Sequence, residues 1–196
     1  SVGLFFGYII KWWFLSFIIG IIAFPISFVL LKKSQEKGYM FSKIIGIFLL
    51  SYFSWLFGFI VFSNATIIIV GLLILALSVF LFIKNKDEIL DFFNTKAALV
   101  IITELFYLFI FLVYALFRMY QPDIIGTEKF MDFAFMNAIT KADKMPPYDP
   151  WMYGVDANGK PLFISYYYFG YLMIAIMMKL TNIPNGVCFN LALTMI

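Results

Sequence analysis

Long apolar runs joined by short polar connections set the pattern of this chain, and one polar interval, Arg118 to Gly170, interrupts it. The first run extends from about Trp12 to Leu31, long enough for the roughly 20 residues that a bilayer core demands. Lys11, Trp12 and Trp13 are expected to anchor it at the interface, and Pro25 to kink it. The polar turn KKSQEKGYMFSK follows. A second span from Ile44 to Phe62, the uncharged turn SNAT and a third span from Ile67 to Ile83 then predict a helical hairpin. In KNKDEILDFFNTK polar and apolar residues alternate, as in a segment lying along a membrane surface before a fourth span from Ala97 to Phe117. Beyond the polar interval, Tyr166 to Lys179 is expected to begin a fifth span, TNIPNG to turn, and Val187 to open a sixth. The predicted fold is therefore an all-α, polytopic helical membrane protein with about six transmembrane helices and a long external loop containing short helices. It divides into a four-helix transmembrane region (1–117), an acidic and aromatic loop (118–164) and the start of further transmembrane helices (165–196).

Composition agrees with the spans and limits the chemistry. With 64% hydrophobic and only 13% charged residues, and a mean hydropathy of +0.97, the chain cannot cover itself with a water-compatible surface. The net charge of +3 is spread over short connections, which reads as an orientation signal, with no basic patch of the kind that binds nucleic acid. Lys32, Lys33, Lys37, Lys43, Lys84, Lys86, Lys96 and Lys179 fall on one side if the spans alternate. That side is expected to be cytoplasmic, placing the amino terminus and the 118–164 loop outside a multi-pass cell-membrane protein. One cysteine, Cys188, permits no internal disulfide, and the absence of histidine leaves proton chemistry to carboxylates, Lys and Tyr. Because the chain opens at Ser1 and stops at Ile196 within an apolar stretch, it is expected to be a piece of a longer protein.

Six of the eleven acidic residues lie in the polar interval. Within it, GTEKFMDFAFMNAITKA predicts a helix capped by Thr127, with Glu128 suited to the positive helix start. Glu128 and Asp132, four apart, then share one helical face. They can hold a divalent cation such as Mg or Mn together, or act as a base beside a phosphate-bearing substrate, with Lys129 and Arg118 able to hold phosphate. An ordinary surface helix with an acidic first turn fits the same spacing. Asp149, before Pro150 and Trp151, is either a helix cap or a pocket residue, and Asp123 after Pro122 reads as a turn residue. Tyr166, Tyr167 and Tyr168 fit an interfacial aromatic belt; alternatively Tyr167 or Tyr168, with Tyr171, lines a site and donates hydrogen bonds to a sugar or phosphate. Glu104 is the ionisable group well inside a span, and pairing with another helix is its expected role.

Taken together, GTEKFMDFAFMNAI, MPPYDPWMYG and YYYFGYL resemble the signature blocks of the YYY membrane protein family, an uncharacterised bacterial and archaeal group named for its tyrosine triplet. GYMFSK, at the approach to the second span, resembles that family's amino-terminal region, so the resemblance covers most of the chain. VDANGKPLFIS is longer than the usual connection to the triplet. The family is in turn similar to C-type glycosyltransferases, polytopic enzymes that take a sugar from a polyprenyl-phosphate donor through an acidic external loop. That loop follows their first span, whereas here several spans precede it. The resemblance implies Asp132 as general base, Glu128 as its partner, and Lys129 or Arg118 as phosphate-holding cations. Asp149, Trp151, Tyr167, Tyr168 and Tyr171 are the further candidates for substrate binding. The implied partners are membrane lipid, a polyprenyl-phosphate sugar donor, and a glycan, lipid or protein acceptor. A transporter or flippase of a lipid-linked substrate, in which Glu104 matters more, and a non-catalytic assembly subunit are the rival readings.

Overall fold

The computed structural model describes residues 2–152 and 154–195, and among them the regular structure is helical. The helices are α1 (Val2–Leu30), α2 (Ser42–Gly58), α3 (Asn64–Lys84), α4 (Lys86–Thr95), α5 (Ala97–Tyr120), α6 (Lys129–Lys141), α7 (Phe169–Thr181) and α8 (Asn185–Met195). Four of the described helices, α1, α2 with its preceding turn, α3 and α5, are long and apolar enough to cross a bilayer. The chain is thus an all-α membrane protein, with four such helices where the hydropathy pattern suggested about six. At 1.5 Å per residue, the 13 residues of α7 reach only about 20 Å, against a hydrocarbon core of about 30 Å. Asn182, in the left-handed conformation with φ 51°, stops α7, and Pro184 follows it. At its other end Tyr168 is the cap, so the tyrosine triplet precedes the helix rather than forming its first turn.

The chain forms two compact units, Ser1–Leu50 with Ile69–Tyr114, and Ser51–Ile68 with Ala115–Ile196.

In the first unit α1 is longer than the pattern suggested and runs through Pro25. Ser78 on α3 donates a hydrogen bond to the carbonyl of Ile22, in the turn before that proline. Trp12 is fully buried, so it is a core residue and not an interfacial anchor. Glycines bring α1 and α2 together: a Cβ on Gly46 would lie 2.6 Å from the Ile19 side chain, and one on Gly20 would lie 2.7 Å from Lys43 Cγ. Close backbone approach at small residues is the usual way helices pack where lipid is the alternative partner. The amphipathic α4 buries Ile89 and Phe92 in an aromatic cluster with Phe24, Phe28 and Tyr39. Its polar face carries Glu88, paired with Lys32 at 2.7 Å. Leu72, Leu73, Ile102 and Phe106 on α3 and α5 are well exposed, as expected of surfaces solvated by lipid.

In the second unit α6, α7 and α8 pack on one another around Ile139, Leu172, Ile176 and Phe189. The segment after α6 is bound to the end of α2 by two backbone hydrogen bonds, Phe62 N–H to the Asp143 carbonyl at 2.7 Å and Met145 N–H to the Gly58 carbonyl at 2.8 Å. Residues 147–149 and 162–164 pair as a hairpin-like ribbon. Asp149 N–H donates to Leu162, Ile164 N–H donates to Pro147, and the Tyr148 and Phe163 rings stack at 5.1 Å. Asp156 closes the tip, its carboxylate accepting the amides of Asn158 and Lys160, contacts that hold the carboxyl below its ordinary pKa. Among the described residues between α5 and α7, α6 is the one helix, where short helices were expected.

Candidate functional site

The acidic pair sits at the start of α6. Gly126 and Thr127 are both left-handed, with φ 86° and 48°, so Thr127 turns the chain and does not cap the helix. Glu128 occupies the cap position, without a side-chain hydrogen bond to the helix, and its carbonyl accepts the first helical bond, from Asp132 N–H at 3.0 Å. Asp132 therefore lies one turn into the helix, half-buried, while Glu128 is exposed. The helix ends at Lys141, one residue before the end of the predicted segment, where Ala142 becomes extended.

Tyr171, in the first turn of α7, donates to Asp132 Oδ1 at 2.5 Å and fixes the direction of the carboxylate. Phe135, one turn further along α6, joins this contact to the tyrosine triplet: its ring lies 5.7 Å from Tyr171 and 5.8 Å from Tyr166. The Tyr166 hydroxyl donates to that of Tyr167 at 2.6 Å. That bond is the main reason the Tyr166 phenol is pushed up to about 12, and the charges of Glu128 and Asp132 push in the same direction. Among the described residues neither carboxylate enters an ion pair.

Beside this cluster opens a cleft of about 320 Å³ lined by Tyr52, Trp55, Tyr166, Tyr167, Tyr168 and Phe169. Trp55 Nε1 donates to the Tyr168 hydroxyl at 2.8 Å, linking α2 to the start of α7. Tyr52 and Trp55 were not singled out by the sequence pattern, where they look like ordinary residues of an aromatic belt. Their spacing of three, which puts both on one helix face, was the available signal.

Other predicted residues are engaged elsewhere. Arg118, at the end of α5, donates through Nε and Nη2 to Asn190 Oδ1 at 2.9 and 2.5 Å, and Nη2 also reaches the Asp123 carbonyl at 3.4 Å. Its guanidinium thus ties α5 to α8. Asp149 accepts the amides of Trp151 and Met152 at 2.8 and 2.9 Å, but no helix follows; it caps a turn, and Trp151 is exposed. Lys129 is half-buried in the first turn of α6.

Glu104 has the inter-helix role expected of it. Its Oε1 accepts from the Tyr39 hydroxyl at 2.8 Å and from Lys43 Nζ at 2.5 Å, and Lys43 also lies over the Tyr107 ring at 4.9 Å.

Among the described residues no group of three or more acidic or sulfur side chains gathers as a metal cage. A divalent cation at the start of α6 would have Glu128 and Asp132 as its protein ligands, a set that suits Mg²⁺ when water and substrate phosphate complete the shell.

Residues 47–196 match the model of a family described as an uncharacterized membrane protein (DUF2298). No curated protein and no solved structure matches the chain.

Proposed function

The chain belongs to this family of uncharacterized membrane proteins, and from that premise we propose that it is a membrane glycosyltransferase whose chemistry lies at the start of α6, on the external face. The observation that carries the proposal is the Tyr171 hydrogen bond to Asp132, which orients a half-buried carboxylate and leaves its second oxygen for a substrate. The resemblance to the YYY family and to C-type transferases supplies the reaction. The oxygen of an acceptor hydroxyl attacks the anomeric carbon of a polyprenyl-phosphate-linked sugar, the bond from that carbon to the phosphate oxygen breaks, and the acceptor proton passes to Asp132. The lipid phosphate leaves with the bonding electron pair. Glu128 is the acidic partner, and Lys129 is better placed than Arg118 to hold the phosphate, because the guanidinium is already committed to Asn190. Tyr167 and Tyr168 wall the neighbouring cleft.

Asp132→Asn keeps the size and the Tyr171 contact but removes the base. In membranes containing the purified protein and a lipid-linked sugar, transfer should fall by about 10²-fold or more, with unchanged thermal unfolding. Transfer at the parental rate would remove Asp132 from the mechanism.

A second reading, transport of a lipid-linked substrate, has one observation in its favour. Glu104 Oε2 is buried without a hydrogen-bond partner, and an ionisable group inside a span marks a substrate or proton path by default. Glu104→Gln that stopped movement of a labelled lipid-linked sugar across proteoliposomes, with transfer intact, would favour it.

A further inference from the structure

The cleft beside the acidic pair has an unusual wall. All six lining residues are aromatic, and the surface they present is almost entirely carbon. Four of their polar tips are turned onto one another, Trp55 Nε1 to the Tyr168 hydroxyl and the Tyr166 hydroxyl to that of Tyr167. An occupant therefore meets aromatic rings, whose faces carry the negative end of the aromatic quadrupole. Glu128 and Asp132, with no ion-pair partner among the described residues, add negative charge that acts through space on Tyr166 of this wall. A sugar buried here would lose water from several hydroxyls and find few partners in return. An acyl or prenyl chain would find apolar surface but no use for the two carboxylates. A cation with its charge spread over methyl or methylene groups uses both features: it needs few hydrogen bonds and is drawn to ring faces and to acid.

We propose that the cleft of Tyr52, Trp55, Tyr166, Tyr167, Tyr168 and Phe169 binds an alkylated ammonium group, with Glu128 and Asp132 supplying its counter-charge. The ammonium comes either from a membrane lipid headgroup or from a free solute. This inference does not depend on sugar transfer, because it concerns binding without donor or acceptor.

The test is titration of the purified protein, in a nonionic detergent, with choline, with its uncharged carbon isostere 3,3-dimethylbutan-1-ol, and with methyl glucoside. Choline should bind at least about tenfold more tightly than the isostere, within the range that cation–ring attraction supplies. Trp55→Leu and Tyr167→Leu should each weaken choline by about tenfold. Tyr167 is 72% exposed, so its truncation leaves the packing intact, and helix content from circular dichroism checks both variants. Glu128→Gln should weaken choline and leave the isostere unchanged. Equal binding of choline and the isostere, tighter binding of the glucoside, or no choline binding by the parent protein overturns the proposal. Nanodiscs separate the sources: choline binding blocked in phosphatidylcholine discs but kept in phosphatidylglycerol discs identifies the lipid headgroup, and binding kept in both identifies a free ammonium solute.

Discussion

Two carboxylate sites in this protein follow opposite rules. Glu104, inside a span, has a lysine at 2.5 Å and a tyrosine hydroxyl at 2.8 Å on one oxygen. Asp132, at the start of α6, has a tyrosine hydroxyl, and among the described residues neither it nor Glu128 pairs with a cation. In hydrocarbon an unmatched charge is too costly to keep, so the first site is closed by its own counter-ion. At the start of α6 Glu128 is exposed and Asp132 half-buried, a setting in which an unmatched carboxylate can persist and offer itself to a substrate or a cation. A matched pair inside a span holds helices; an unmatched pair at a helix start is left to take a ligand.

The comparison breaks first at Lys43. Lys43→Met leaves Glu104 buried without its counter-ion, and in detergent unfolding it should cost about 3–5 kcal/mol. Adding Glu104→Gln should recover much of that loss, because no charge is then stranded. If the single variant were as stable as the parent, the pair would not be holding the first unit. The next largest effect is the loss of transfer expected for Asp132→Asn, which should come with little change in stability. Tyr171→Phe is smaller again. Removing a hydrogen bond to a half-exposed carboxylate should cost at most about 1.5 kcal/mol in the same unfolding assay, and transfer should fall because Asp132 is no longer aimed.

The smallest effect is a titration. The Tyr166 phenol is raised from 10.0 to about 12, so the folded state favours its neutral form. The stabilisation it contributes is complete below pH 10 and is lost as pH rises toward 12. Absorbance at the tyrosinate band should show one phenol titrating late, and Tyr167→Phe, which removes the main cause, should bring it earlier. No change in that variant would dissociate the shift from the Tyr166 contact.

Four membrane helices were legible because a run of apolar residues is set by bilayer thickness, and so is a local property of the sequence. The shorter α7 was not distinguished from a span, since hydropathy does not register that Tyr168 stands outside α7 or that Asn182 adopts the left-handed conformation. The cap assigned to Thr127 failed for a similar reason. Two consecutive left-handed residues are a backbone event, and Gly126 announces only the first of them. The cost of an ionisable group in a span pointed to Glu104, but its partner lies 61 residues away and no periodicity names Lys43. Composition and spacing singled out Asp132 and Glu128 as candidates, and the family resemblance set them above the other acidic residues. The pairing of Asp132 with a tyrosine on α7, and the aromatic wall contributed by α2, came from tertiary packing.

The two hydrogen bonds between the segment after α6 and the end of α2 specify peptide groups and no side chains. Across related sequences Asp143 and Lys144, both exposed, are therefore free to vary in size and charge without detaching the segment. Constraint concentrates instead on three neighbours. Phe62 and Met145 cannot become proline without losing a donor, and Gly58 cannot gain a Cβ without meeting the Met145 side chain at 2.7 Å. An alignment of related chains should show a glycine fixed at position 58 facing a variable charged pair at 143 and 144.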